Sequence, residues 1–207
     1  MTHGPASTPQ AFWDRRYSES GYAYGEQPND FLREQAASLP LGEALCLAEG
    51  EGRNAVHLAQ LGHRVTAQDL SAVGLSKAVA LAQSRSVLIE TRCCDLATFL
   101  PIPQSVDLVV AIWMHLPPTL RAQVLKQAVV ALRPGGHLIL EAYTPQQLEL
   151  GSGGPPQREL LWEPEPLRAE LNGLELLLFR ECRRWIEEGP YHRGDSAVLQ
   201  VMGRKPV

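Results

Sequence analysis

The stretch ALCLAEGEGRNAVHLAQLGHRVTAQDLS, residues 44–71, constrains this chain most. An apolar run, residues 44–48, enters Glu49-Gly50-Glu51-Gly52. A helical pattern over residues 53–61 follows and stops at Gly62, and a second apolar run, residues 63–69, ends on Asp69. Strand, glycine turn, helix, strand is the order of a parallel crossover. Glycines at 50 and 52 permit positive φ and let a ligand approach the backbone. The free N–H groups of the next helix point toward such a ligand. Asp69, nineteen residues after Gly50, falls beside the turn at the carboxyl edge of the sheet. An acid there commonly accepts hydrogen bonds from a ribose hydroxyl pair, so the combination predicts a nucleoside-containing cofactor. GEGRNA (50–55) also fits Gly-x-Gly-x-x-Ala, which leaves a dinucleotide-dependent dehydrogenase open, as it does a turn with no ligand.

The same alternation continues. Short helices are expected at residues 12–17 and from Pro28 or Asn29 to Ser38, with the turn-rich loop GYAYGEQPN (21–29) between them. Ser71 caps a helix reaching about Gln83. Residues 87–93 read as a third strand, and residues 106–113, apolar apart from Asp107, as a fourth, covered on both faces. A helix over residues 119–132 leads through Pro134-Gly135-Gly136 into a fifth strand, residues 137–143. Residues 145–166, containing GSGGPP, read as a long flap loop and residues 165–171 as a short helix. Two further strands, residues 175–186 and 197–205, have no helix between them, and GPYHRGD (189–195) is expected to join them as a hairpin. The chain is read as one domain, residues 1–207, with residues 1–10 as a loose tail.

Charge and cysteine usage narrow the class. A formal net charge of -4 argues against a general phosphate-backbone binder, so no nucleic-acid partner is expected. No apolar run approaches the ~20 residues that span a bilayer, and residues 1–10 carry no signal-peptide core. The four cysteines, Cys46, Cys93, Cys94 and Cys182, show no metal-ligand spacing. No metal is expected, and reduced thiols point to a cytoplasmic protein.

Three further motifs carry a resemblance: Asp95 in CCDLATF, Asp107 opening SVDLVVAIWMH, and LRPGGHLILEAY over residues 132–143. With the opening turn, they resemble the class I S-adenosylmethionine-dependent methyltransferases over about residues 44–143. FWDRRYSESGYAYGEQPNDFL (12–32) and EEGPYHRGDSAVLQVMGRKP (187–206) are similar to the entry segment and terminal hairpin of small-molecule members of the tellurite-resistance and thiopurine type. The resemblance implies an α/β fold: a doubly wound, mostly parallel seven-stranded sheet with an antiparallel C-terminal hairpin. It implies S-adenosyl-L-methionine as cofactor and a small-molecule acceptor. The chain departs from the family at Cys46, where an Asp is usual, at Ala48, usually Gly, and at Glu49, usually small.

On that resemblance the cofactor contacts are Glu49, Gly50, Gly52, Arg53, Asn54, Asp69, Leu70, Asp95, Leu96, Ile112 and Trp113. Methyl transfer is an in-line displacement, so the protein chiefly aligns donor and nucleophile in a dry pocket. A thiolate or chalcogen anion needs no strong base, whereas a hydroxyl or amine often does. His115 is the leading proton acceptor or polar acceptor-site contact, and Tyr24 is expected to close over the methionine end. Trp13 and Phe31 read as pins for the N-terminal helices. His192 reads as a solvated turn histidine, Arg183 and Arg184 as solvated charge, and Trp162 as an apolar cover on the flap. The rival functions are a nicotinamide-dependent oxidoreductase and a cofactor-binding module without catalysis. Oligomeric state is not legible.

Overall fold

A computed structural model describes residues 8–207. The proposed loose tail therefore lies largely outside the described residues, while Pro9 and Gln10 already belong to the first helix. Helices α1 (Pro9–Tyr17) and α2 (Asp30–Ala36) precede the sheet. The Thr8 and Asn29 side chains cap them, each accepting from an N–H of the first turn. Then β1 (Glu43–Cys46), α3 (Arg53–Leu61), β2 (Arg64–Asp69), α4 (Ala72–Ser84), β3 (Glu90–Cys93), β4 (Val106–Ile112), α5 (Pro118–Ala131) and β5 (Leu132–Tyr143) alternate. Helix α6 (Pro164–Glu170) and the strands β6 (Glu175–Glu188) and β7 (His192–Arg204) close the chain.

The seven strands run in the order β3-β2-β1-β4-β5-β7-β6. The first five are parallel, and β7 lies antiparallel between β5 and β6. This order separates the fold from the open dinucleotide-binding sheet, whose order is 3-2-1-4-5-6. The strand order reverses between β1 and β4, and ligands of such sheets bind outside the carboxyl ends at that point.

Side-chain alternation distributes the core. Leu45 and Leu47, with Val109 and Ala111 of β4, face Val124, Leu125 and Ala128 of α5 together with Trp162 and Leu167. Ala44 and Cys46, with Leu108, Val110 and Ile112, face Phe31 and Leu32 of α2 and Ala55 and Leu58 of α3. The period of 2 puts successive residues in opposite layers, and this explains why β4 is apolar from Leu108 onward. No helix among the described residues is long and apolar enough to cross a membrane.

Three element boundaries differ from expectation. Strand β3 begins at Glu90, because Val87 N–H is still bonded to the Ala82 carbonyl behind α4. Strand β5 begins directly at Leu132, with the Pro-Gly-Gly segment absorbed as a register shift against β4. The terminal hairpin is far tighter than GPYHRGD suggested. Glu188 pairs with His192 across a turn of residues 189–191, and both strands continue to that turn. Gly189 makes this possible: its φ is 72°, and a Cβ there would lie 2.5 Å from the Gly25 nitrogen. The hairpin tip thus packs on the Tyr24-Gly25 loop.

Candidate active site

The glycine bend is built from backbone bonds. Gly50 has φ 61° and donates its N–H to Asp69 Oδ2 at 2.8 Å; Ser71 N–H donates to Asp69 Oδ1 at 2.8 Å. Burial raises the Asp69 pKa, and these N–H bonds oppose the rise. Each carboxylate oxygen retains capacity for a second donor, so the pair that would hold a ribose is compatible with the chain's own bonds. A Cβ on Gly50 would sit 2.5 Å from the Tyr17 hydroxyl, and one on Gly52 would sit 2.5 Å from the Ala78 Cβ. The glycines therefore serve the packing of α1 and α4 as well as the turn. The Asp14–Ser71 hydrogen bond fastens α1 over the bend.

Glu49 occupies the helix start. Its Oε1 accepts from Asn54 N–H at 2.9 Å and Ala55 N–H at 2.8 Å, so the chain itself takes two of the N–H groups at the start of α3. Burial pushes the Glu49 pKa up to about 7, against the pull of these N–H groups and of Arg53. Cys46 lies behind it, fully buried, its thiol pKa raised by burial and by Glu49. Ala48 is left-handed, φ 51°, at a position the resemblance gives to glycine.

At the neighbouring strand ends, Leu70 is half-buried, and Leu96 and Ile112 are buried. Asp95 is exposed, with Oδ1 accepting from Ala97 N–H at 2.8 Å. Trp113, also left-handed at φ 58°, stacks on Tyr143 with centroids 4.3 Å apart.

Arg53 and Asn54 are buried, and a residue invisible to sequence reasoning explains why. Glu188, at the end of β6, accepts from four side chains. Arg53 Nη2 donates to its Oε2 at 2.6 Å and Trp113 Nε1 to the same oxygen at 2.7 Å. Asn29 Nδ2 donates to Oε1 at 2.9 Å and Arg184 Nη2 to Oε1 at 3.0 Å. Asn29 N–H in turn donates to Asn54 Oδ1 at 2.9 Å. Burial alone would raise the Glu188 pKa, but Arg53 and Arg184 outweigh it and hold it down at about 2. Arg184 also grips the buried Glu141 at 2.6 and 3.2 Å. Arg184 is thus mostly enclosed rather than solvated, because residues 182, 184, 186 and 188 of β6 face inward. Only the four-residue spacing Arg184…Glu188, an even number that puts both on one strand face, signals this, and only once the strand is known to reach Glu188.

Next to this carboxylate lies an aromatic cluster. Tyr24, Trp113 and Tyr143 surround His192 at 4.6, 5.1 and 5.3 Å between ring centroids. His192 is buried, which corrects its reading as a solvated turn residue: β7 starts at His192 and directs the ring inward. Burial holds its pKa down at about 3, so the ring is neutral. His192 Nδ1 and the Tyr143 hydroxyl are buried without a hydrogen-bond partner. His115 has both ring nitrogens engaged: Nδ1 with the Leu160 carbonyl at 3.0 Å, Nε2 accepting from Tyr143 N–H at 3.5 Å. Burial lowers its pKa to about 4. Arg16 donates to the Tyr24 hydroxyl at 3.1 Å and stacks over Tyr191 at 3.6 Å. Gly153 closes the cluster: a Cβ on it would meet the Tyr143 hydroxyl, His192 Cδ2 and the Tyr191 carbonyl, each at 2.8 Å. Trp162 is fully buried in the core beside α5, its N–H bonded to the Tyr143 carbonyl at 2.9 Å. It anchors the segment rather than covering a mouth.

This sheet order, with the bend at the end of β1 and the acid at the end of β2, defines the class I methyltransferase fold. Residues 44–136 match the family described as a methyltransferase domain. That segment carries the bend and its acid, and the chain around it has the class I methyltransferase fold. Among solved structures, one described as the conversion of a disulfide bond into a thioacetal group during echinomycin biosynthesis is similar with TM-score 0.75 and 18% identity, covering 95% of this chain and 91% of that one. TehB from Haemophilus influenzae is similar with TM-score 0.70 and 18% identity, over 95% of this chain and 66% of that one. The N-methyltransferase NodS from Bradyrhizobium japonicum, in complex with S-adenosyl-L-homocysteine, gives 0.72 and 17%, over 96% and 98%. At such identities the likeness shows the fold. No curated protein matches the chain in sequence.

Proposed function

We propose that the chain transfers a methyl group to a small soft or anionic acceptor, a thiol or a chalcogen oxyanion, as one domain with residues 145–166 as a flap. S-adenosylmethionine supplies the methyl on a sulfonium. Asp69 accepts from the ribose hydroxyls, Asp95 and the Leu70 and Leu96 side chains line the adenine, and Gly50 and Gly52 admit the donor close to the backbone. Arg53, Asn54 and Glu49 face the methionine end, with Ile112 and Trp113 along the sulfur side. The aromatic faces of Tyr24 and Trp113 tolerate a cation.

The acceptor reading rests on one observation: the cluster beyond β4 offers two unpartnered polar atoms, His192 Nδ1 and the Tyr143 hydroxyl, and no free base, since the ionised Glu188 beside it is already bonded to four donors. A neutral, water-excluding pocket orients a nucleophile that ionises by itself and does little for one that must lose a strongly held proton. Arg16 at the mouth favours an anion, having no carboxylate within ion-pair distance among the described residues. His115 serves as a proton acceptor only if its bond from Tyr143 N–H opens. Methyl transfer from labelled donor across a panel of thiols, selenite and tellurite, with amines and phenols as controls, tests the reading. Turnover confined to amines or phenols would overturn it.

A further inference from the structure

Glu188 stands apart from every residue described so far: it belongs to neither strand end of the cofactor half, yet it is bonded to both sides of the site. We propose that Glu188 is a positioning residue that fixes the donor-side Arg53 and the acceptor-side Trp113 in one geometry, so that cofactor and acceptor are aligned together. The inference rests on the proposed function. Its basis is a single oxygen, Oε2, that accepts from Arg53 Nη2 at 2.6 Å and from Trp113 Nε1 at 2.7 Å. The two donors come from the start of α3 and the end of β4, and the acceptor from the end of β6. Oε1 adds Asn29, whose own N–H reaches Asn54, so a second link runs from the same carboxylate to the donor side.

Packing alone does not explain the arrangement. Trp113 is held in a left-handed conformation that an indole adopts only under constraint, and such strain concentrates at functional sites. The bond to Glu188 and the stack on Tyr143 supply that constraint. The carboxylate is itself fixed from behind by Arg184, which Glu141 holds bidentately. Hence a shift of Arg53 when the methionine carboxylate binds nearby is transmitted through one atom to Trp113.

Glu188→Gln keeps the shape and loses the charge, so it separates alignment from packing. With the full chain, the expected result is a folded protein that binds S-adenosylhomocysteine about tenfold more weakly and turns over at least tenfold more slowly at saturating donor. Trp113→Phe, which removes the indole donor but keeps an aromatic face along the sulfur side, should reproduce the loss in kcat and weaken S-adenosylhomocysteine binding less than Glu188→Gln does. Arg53→Lys should weaken S-adenosylhomocysteine binding about tenfold and, through the shared oxygen, lower kcat several-fold. Tryptophan emission, read as wild type against Glu188→Gln, should shift, and the shift should vanish in the Trp113→Phe background. Unchanged kcat in Glu188→Gln, or a tryptophan shift that persists without Trp113, overturns the proposal. If Glu188→Gln does not fold, the Trp113→Phe and Arg53→Lys pair decides: their kcat effects should combine to less than their product, and simple multiplication overturns the coupling. Failure of the underlying reading looks different, since the unsubstituted chain then binds no S-adenosylhomocysteine, while the emission shift still reports on the Glu188 bond.

Discussion

The proposed donor and acceptor ends of the site are held by different means. The donor end is a local construction: Gly50, Asp69, Ser71, Glu49 and the first turn of α3 lie within 25 residues of each other and are joined mainly by backbone N–H groups. The acceptor end is assembled from afar. Asn29, Trp113, Tyr143, Glu188 and His192 come from five segments and meet through side chains, with one bond spanning 159 residues of chain. A backbone-built end tolerates side-chain variation so long as the turn survives. A side-chain-built end depends on each partner, and charge is what joins it.

Removing the acid from the donor end is the sharpest way to break this contrast. Asp69→Ala should weaken S-adenosylhomocysteine binding on the order of 100-fold or more, about 3 kcal/mol, as measured by calorimetry. Two backbone N–H groups lose their acceptor as well, so unfolding stability should fall by about 1–3 kcal/mol. The acceptor KM at saturating donor should change little. Unchanged donor affinity would take Asp69 out of the site.

The two buried carboxylates should titrate with opposite sign. Glu49 has its folded pKa raised from 4.5 to about 7. The unfolded chain therefore gives up that proton first, and stability contributed by the protonated form is lost as pH rises from about 4.5 to 7. Glu188 has its folded pKa lowered from 4.5 to about 2, so its contribution is present above 4.5 and lost as pH falls toward 2. His115 and His192, depressed to about 4 and 3, lose their stabilisation as pH falls from 6.5. They therefore mask Glu49 in the wild-type curve, and the comparison must be between variants. Glu49→Gln minus wild type should gain on the order of 2 kcal/mol between pH 4.5 and 7, and Glu188→Gln minus wild type should change mainly below 4.5. Denaturant midpoints across pH measure both, and equal slopes in the two windows would remove the contrast.

The same contrast governs what was legible in the sequence. The bend, Asp69 and the parallel strands were readable because their determinants are short-range: glycine spacing, a cap at Ser71, an apolar run of period 2 or 3.6. Glu188 and His192 were not readable, since both sit at the lip of a hairpin whose loop looked longer than it is. Glycine and proline at 189–190 suggested an extended turn, whereas Gly189 allows a close approach to Gly25 that carries both strands to the tip. The fate of Arg184 follows from that register, which no local pattern fixes. Glu49 falls in the glycine turn by sequence position alone, but its capping of α3 depends on a rotamer the sequence does not specify.

Substitutions confined to the acceptor cluster should have smaller and more selective effects. Tyr143→Phe removes a buried hydroxyl that has no partner, so stability should hold or rise by about 1 kcal/mol. Acceptor KM should rise several-fold, and S-adenosylhomocysteine affinity should stay within twofold. A parallel loss of donor affinity would mean the two ends are not separable at this residue.

Ala48→Gly should have the smallest effect, and it tests whether the donor end is indeed a backbone construction. Ala48 sits at φ 51°, and its N–H is bonded to Gln68 Oε1 at 3.2 Å. Left-handed alanine costs roughly 1–2 kcal/mol relative to its preferred conformations, and glycine is free of that cost. Glycine also makes the unfolded chain more flexible, which opposes the gain by about 0.4–1 kcal/mol. The net expectation is a stabilisation of about 0.5 kcal/mol in denaturant unfolding, with donor affinity unchanged within twofold because the side chain makes none of the bonds that shape the bend. A marked loss of stability would show that the methyl group packs against the α5 layer strongly enough to justify its strain, and that side chains shape the donor end as well.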